Sequence, residues 1–187
     1  MNITNSSVLI DSYFANKSKK LTSLLLIIVG SLLLTVSAKV SVPFYPVPMT
    51  MQTLVVLFIG LTFGRFLGPL TIFTYLAQGA LGLPVFANGG GFLYLMGPTG
   101  GYLLGFFLSS IILSYIADLG WNKSYFLTFI SLLIGLFVIF FIGLTQLGFL
   151  LGKSLTETVS LGLLPFIYGE LFKISILAIF VPLISRK

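Results

Sequence analysis

The 187-residue chain is 57% hydrophobic and 7% charged, with ten basic and four acidic side chains, no histidine and no cysteine. An average soluble domain is roughly 25% charged, so so few charges cannot clothe a soluble core of this size; a soluble cytosolic enzyme and a disordered chain are both excluded. A mean hydropathy of +1.13 points instead to a polytopic helical membrane protein. At about 20 apolar residues per span, the length holds at most about seven spans and leaves no room for a separate extramembrane domain. The missing cysteine removes disulfides and thiolate metal sites, and the missing histidine removes the commonest acid/base group and metal ligand. The net charge of +6 reports topology in such a chain before it suggests nucleic acid, and no nucleic-acid partner is expected.

Residues 1–20 form a polar, Asn/Ser-rich segment that ends in Lys17, Lys19 and Lys20. Leu21 to Ala38 carries no charge and predicts a first helix. A basic start followed by an apolar run also has the outline of a signal peptide. The run is longer than a signal core of about 7–15 residues, and everything after it is membrane-like too. Pro43, Pro46 and Pro48 forbid a regular helix after Lys39 and predict an ordered, partly extended loop. Leu54 to Gly64 predicts a short second helix, ending at Arg65. The uncharged stretch Phe66 to Ala117 holds two further helices. The break between them lies at Gly82-Leu83-Pro84, followed by a Gly-rich connection from Val85 to Pro98. Asp118 to Lys123 is a polar turn with an interfacial tryptophan. Ser124 to Gly152 predicts a fifth helix long enough to tilt, Lys153 to Ser160 a loop, and Leu161 to Ser185 a sixth helix.

The expected fold is therefore all-α and integral to the membrane. Six transmembrane helices form a single domain over 21–187, with a Pro-rich loop after the first and a Gly-rich loop between the third and fourth. With the N-terminus inside, the basic residues divide seven to two in favour of the inner face, leaving only Lys39 and Lys153 outside. That division predicts both termini in the cytoplasm.

Glu170 and Lys173 interrupt the sixth apolar run, and at i, i+3 they share one helix face. Ionisable groups there are costly unless they pair or line a polar cavity. Three readings remain open from the residues: a structural ion pair, a substrate-binding pair and a proton relay. The clusters Ala87-Asn88-Gly89-Gly90-Gly91-Phe92 and Gly97-Pro98-Thr99-Gly100-Gly101-Tyr102 also have two readings. One is an anion-binding concavity of backbone N–H groups, the other a flexible loop with close helix packing. Glycines four apart (Gly60/Gly64, Gly101/Gly105, Gly148/Gly152) predict helix–helix contact. Ser31 and Thr35 form a similar stripe on the first helix, suited to a partner protein. Gly152-Lys153-Ser154 resembles the end of a P-loop, but Leu147 stands where its first glycine belongs, and the preceding stretch is a helix rather than a strand.

The segments Ser41-Val42-Pro43, Val47-Pro48-Met49-Thr50-Met51-Gln52-Thr53, Gly82-Leu83-Pro84-Val85-Phe86-Ala87 and Gly97-Pro98-Thr99-Gly100-Gly101-Tyr102-Leu103 resemble the BioY family, the biotin-specific S components of energy-coupling factor (ECF) transporters. Gly169-Glu170-Leu171-Phe172-Lys173 is similar to that family's Gly-acidic-x-x-Lys motif on helix 6. Two positions depart from the pattern: Lys39 replaces an uncharged polar residue, and Ser31 and Thr35 only loosely meet an Ala-x-x-x-Ala motif. The resemblance implies a plasma-membrane protein that binds biotin on its outer side and topples to release it inside. The implied partners are a transmembrane T component and two ATP-binding cassette ATPases, although a solitary transporter also fits, with membrane lipid around it. No cofactor is implied, biotin being the transported ligand. The implied site combines Glu170 and Lys173 on the ureido ring, with Lys173 on the valerate carboxylate as the alternative, aromatics such as Phe92, Tyr94 and Tyr102 on the thioether ring, Asn88 and neighbouring glycine N–H groups near the valerate carboxylate, and Thr50 and Gln52 in a capping loop. The coupling partner is expected to meet Ser31 and Thr35. The alternatives are an S component for thiamine or riboflavin, and a membrane enzyme using Glu170 as a base on a lipid. The enzyme reading lacks a second carboxylate, a histidine or a metal site.

Overall fold

The computed structural model describes residues 19–186, with the backbone alone at Lys19. The polar segment expected over residues 1–20 therefore lies outside the described residues except for its end. Helix α1 (Lys19–Lys39) is 21 residues long, about 32 Å at 1.5 Å per residue, which matches a hydrocarbon core of about 30 Å. The Pro-rich segment folds into a two-stranded antiparallel hairpin, β1 (Ser41–Val42) and β2 (Met49–Thr50), with Ser41 opposite Thr50 and Val42 opposite Met49. The Met51 N–H donates to the carbonyls of Ser37 (3.2 Å) and Val40 (3.0 Å). This bond seats the hairpin on the end of α1, where helix carbonyls lack intrahelical partners.

Helices α2 (Gln52–Thr62) and α3 (Leu67–Ala80) follow. α2 is apolar and buried nearly all round, packed against α1, α3, α5 and α8. Its last turn is held from outside by Asn122, whose Nδ2 donates to the Leu61 carbonyl at 3.0 Å. The Gly-rich connection contains a short helix, α4 (Phe92–Met96). Helices α5 (Gly100–Asp118) and α6 (Tyr125–Leu151) form the central antiparallel pair, joined by a 3-10 turn at Trp121–Lys123. Most hydroxyls on these helices donate to a carbonyl one turn back, as Thr71 does to Leu67 (2.7 Å) and Ser131 to Leu127 (2.7 Å). Intrahelical bonds of this kind satisfy a polar side chain where no water is at hand.

The chain after α6 differs from the sequence expectation. Lys153 to Ser160 is not a loop: α7 (Leu155–Gly162) begins there, with a capping box between Ser154 and Glu157. Nor is Leu161 to Ser185 one helix. Pro165 sits in a 3-10 turn, Leu164–Phe166, and α8 begins at Ile167 and runs to Ser185. A proline has no N–H for an α-helical bond, so the α-helix restarts beyond it and Glu170 falls in the first turn of α8, still near the middle of the apolar stretch Leu155–Ser185.

Among the described residues, four helical stretches are long and apolar enough to cross a membrane: Lys20–Lys39, Gly100–Asp118, Tyr125–Leu151 and Leu155–Ser185. Large apolar side chains on the outside of the bundle, such as Leu32, Val36, Phe137, Phe141 and Phe180, are exposed, as a lipid-facing surface requires. The stripe expected to meet a partner turns the other way. Ser31 is buried within the chain and Thr35 half-buried, each hydroxyl bonded within α1, while Leu25, Ile28, Leu32 and Val36 form the outer face. The smaller residues lie inward because α1 crosses α3 closely: a Cβ on Gly30 would stand 2.6 Å from the Thr71 methyl.

The glycine pairs separate by position. Gly60, Gly101 and Gly105 lie at helix contacts, and Gly148 faces Thr158. Gly64 (φ 85°) and Gly152 (φ 59°) instead take left-handed turns after α2 and α6. A Cβ on Gly105 would lie 2.8 Å from Ile139 Cα and 2.9 Å from its carbonyl oxygen, both backbone atoms that cannot step aside. We expect Gly105→Ala to lower stability by about 1–3 kcal/mol and Gly148→Ala, which meets only a side chain, by much less. Thermal melting of the detergent-purified variants checks the order.

Candidate functional site

The end of the bundle that carries the hairpin and the Gly-rich connection encloses a cavity with about 540 Å³ of empty space, counted out to its open mouth. Its walls are largely aromatic: Phe86, Tyr94, Tyr102, Phe106, Phe140 and Phe166. Thr50, Gln52, Thr53 and Glu170 supply the polar side. A concave apolar site with a few convergent polar groups is the usual form of a small-molecule pocket.

Glu170 and Lys173 are 5% and 3% exposed. Lys173 Nζ donates to the Thr50 carbonyl (2.6 Å), Thr53 Oγ1 (2.8 Å) and Glu170 Oε1 (2.7 Å). An ammonium has three N–H groups, and each has its own acceptor. The Thr53 hydroxyl passes its proton on to Glu170 Oε1 at 2.9 Å. Both partners' interactions converge on Oε1. Glu170 Oε2 is buried with no hydrogen-bond partner, on a residue that lines the cavity. Burying such an oxygen unpaired is costly, so it is the group in this wall that most needs a donor from a ligand.

A second network holds the hairpin. The Thr50 hydroxyl donates to Gln52 Oε1 (3.1 Å), Gln52 Nε2 donates to the Tyr75 hydroxyl (2.7 Å), and Tyr75 donates to the Val85 carbonyl (3.0 Å). It joins the hairpin, α2, α3 and the Gly-rich connection in one chain of bonds. Tyr75 escaped the sequence reading; it looks like one more aromatic on an apolar helix, and only its hydroxyl's partners distinguish it.

The expected site residues are placed unevenly. Thr50, Gln52, Glu170 and Tyr102 line the cavity, and Lys173 stands behind Glu170. The Tyr102 ring forms wall, while its hydroxyl is committed to the Gly162 carbonyl at 2.8 Å. Asn88 and Phe92 are exposed and outside the lining, Phe92 at 61%. Ala87 and Tyr94 line the cavity instead, with Tyr94 stacked on Phe86 at 5.0 Å between ring centres. The glycines at the start of α5 serve packing. Gln146 Nε2 donates to the carbonyls of Leu95 (3.0 Å) and Gly97 (2.9 Å) there, and a Cβ on Gly100 would overlap the Leu95 carbonyl.

Comparison with known proteins gives first the class of fold. A solved structure described as the S-component for biotin from an ECF-type ABC transporter superposes with a TM-score of 0.80 at 23% identity, covering 90% of this chain and 93% of that one. The fold is that of an S component. The model of the BioY family matches residues 11–187, so the chain belongs to the BioY family. Among curated relatives, "Biotin transporter BioY" of Thermotoga maritima is 36% identical over 148 residues, 79% of this chain and 86% of its own length. "Probable biotin transporter BioY" of Pyrococcus horikoshii is 42% identical over 142 residues, 75% of this chain and 82% of its own.

Removing the Tyr75 hydroxyl strands both of its neighbours. We expect Tyr75→Phe to destabilise the protein by about 1–3 kcal/mol, the cost of a buried polar group without a partner, although the substitution keeps the ring and its edge-to-face contact with Phe86. A lowered melting temperature in detergent is the readout.

Proposed function

We propose that this protein is a high-affinity biotin-binding membrane subunit that mediates biotin uptake and is not an enzyme. The observation that carries the reading is Glu170 Oε2, a donor-seeking carboxylate oxygen in the wall of an aromatic cavity. Biotin has a ureido ring with two N–H donors and one carbonyl, an apolar thioether ring and a valerate carboxylate. An ionised carboxylate accepting a ureido N–H makes a charge-assisted bond, roughly twice as strong as a neutral one. The stacked pair Phe86 and Tyr94 and the ring of Tyr102 offer surface to the thioether ring. Lys173 reaches the ureido carbonyl by releasing the Thr50 carbonyl, which belongs to the hairpin. Ligand entry and movement of the hairpin are then one event, with the hairpin as a cap over the site. The family membership and the relatives named as biotin transporters support biotin over thiamine or riboflavin.

The architecture fits a single domain over residues 21–187 whose six membrane helices are α1, α2, α3, α5, α6 and α8. The described basic residues Arg65, Lys123 and Arg186 gather at the end of the bundle away from the cavity. Arg186 Nε donates to the Lys123 carbonyl at 2.8 Å, and its guanidinium lies over the Tyr125 ring. Together with the lysines before α1, this clustering supports cytoplasmic termini in the plasma membrane and a cavity facing out. The S-component fold supports coupling to a transmembrane T component and ATP-binding cassette ATPases.

Tritiated-biotin binding to the purified protein tests the reading. Glu170→Gln and Lys173→Met should each weaken binding roughly ten- to a hundred-fold, the equivalent of one charged hydrogen bond. The double variant separates support from recognition. With both charges gone the melting temperature should recover, because no unpaired charge is left buried, while binding should be no better than in the weaker single variant. Recovery of affinity in the double variant would reduce the pair to a structural role.

The absence of native cysteine makes topology directly measurable. In intact cells a cysteine at the exposed Lys153 should react with an impermeant maleimide, and one at the exposed Lys123 only after permeabilisation. The opposite pattern would invert the protein in the membrane.

A further inference from the structure

We propose that Lys39 receives the carboxylate of the ligand, an inference that rests on the biotin reading above. Lys39 closes α1 and stands beside the hairpin. Its Nζ donates to the Phe86 carbonyl at 2.6 Å. Phe86 and Ala87 line the cavity and Lys39 does not, so the bond sets an ammonium directly behind the segment that forms this part of the wall. Among the described residues, Lys173 and Lys39 are the two cations hydrogen-bonded to segments that line the cavity.

They are not equivalent. The three N–H groups of Lys173 go to Thr50, Thr53 and Glu170, and the one it can release from Thr50 is assigned above to the ureido carbonyl. Beside it the Glu170 carboxylate repels any anion brought to that wall. An elongated ligand with a hydrogen-bonding ring at one end and a carboxylate at the other therefore has its ring at Glu170 and its charge elsewhere. Lys39 has one protein acceptor for three donors, and the ion pairs among the described residues leave it out. It is exposed, so it meets a ligand arriving from the aqueous side without first being stripped of water.

The competing view is that Lys39 only latches the Gly-rich connection to α1. Biotin and biotinamide, which differ in the charge of the side-chain terminus and share the rings, distinguish the two. Equilibrium binding of both ligands would be measured on the purified wild type, Lys39→Met and Lys39→Arg. Lys39→Met should weaken biotin roughly ten-fold and leave biotinamide within about two-fold, whereas Lys39→Arg should keep the preference for biotin. Equal weakening of both ligands would make Lys39 a latch and overturn the proposal, as would unchanged affinity for biotin. A wild type that binds neither ligand would overturn the biotin reading, and the role of Lys39 with it, before any variant is compared.

Discussion

A buried ammonium must be solvated by the protein itself, and the upper half of this structure is arranged around that need. Lys173 takes its three acceptors from three places: the hairpin carbonyl of Thr50, the Thr53 hydroxyl of α2 and the Glu170 carboxylate of α8. Thr50 and Thr53 are neighbours in sequence, but both lie 120 or more residues before Lys173. The charge therefore gathers hairpin, α2 and α8 at one point, and that point is the polar wall of the cavity. A buried pair of this kind contributes little net stability, since desolvation offsets the attraction. What it determines is which segments meet and in what register.

The same wall leaves one valence open. Three bonds from Lys173 and one from Thr53 satisfy everything except Glu170 Oε2. A purely structural pair would be expected to close on both oxygens. The asymmetry separates the two halves of one carboxylate, with Oε1 holding the scaffold together and Oε2 left without a partner. The bonds from Thr50 through Gln52 and Tyr75 to Val85 add a second tie between the hairpin and the connection that forms the opposite rim. The hairpin and the connection are thus both tied by hydrogen bonds to residues that line the cavity.

Composition and charge spacing made the helical membrane architecture legible, because a span must be apolar over a set length whatever it packs against. Glu170 and Lys173 stood out for the same reason. Three features were hidden. The restart of the last helix depended on Pro165, which looks innocuous inside an apolar run. The capping box at Ser154 and Glu157 was masked by its polar surroundings and read as loop. The direction of α1 was hidden because all its faces are apolar: Ser31 turned inward through close packing near Gly30, which no periodicity records. Phe92 and Tyr94 show the limit at the site itself. Both are aromatics in one short helix, and two residues of helical rotation decide which one lines the cavity.

The break before α8 also explains why the pair can serve a ligand at all. Had the last helix run unbroken from Leu161, Glu170 would sit mid-helix, its carboxylate among the side chains of neighbouring helices. With the restart at Ile167, it lies in the first turn of α8, and Lys173, one turn on, pairs with it at 2.7 Å. Beside the interruption the Tyr102 hydroxyl holds the Gly162 carbonyl at the end of α7, and Phe166 packs against Phe140. One proline thereby sets where α8 begins and places Glu170 in the wall of the aromatic cavity.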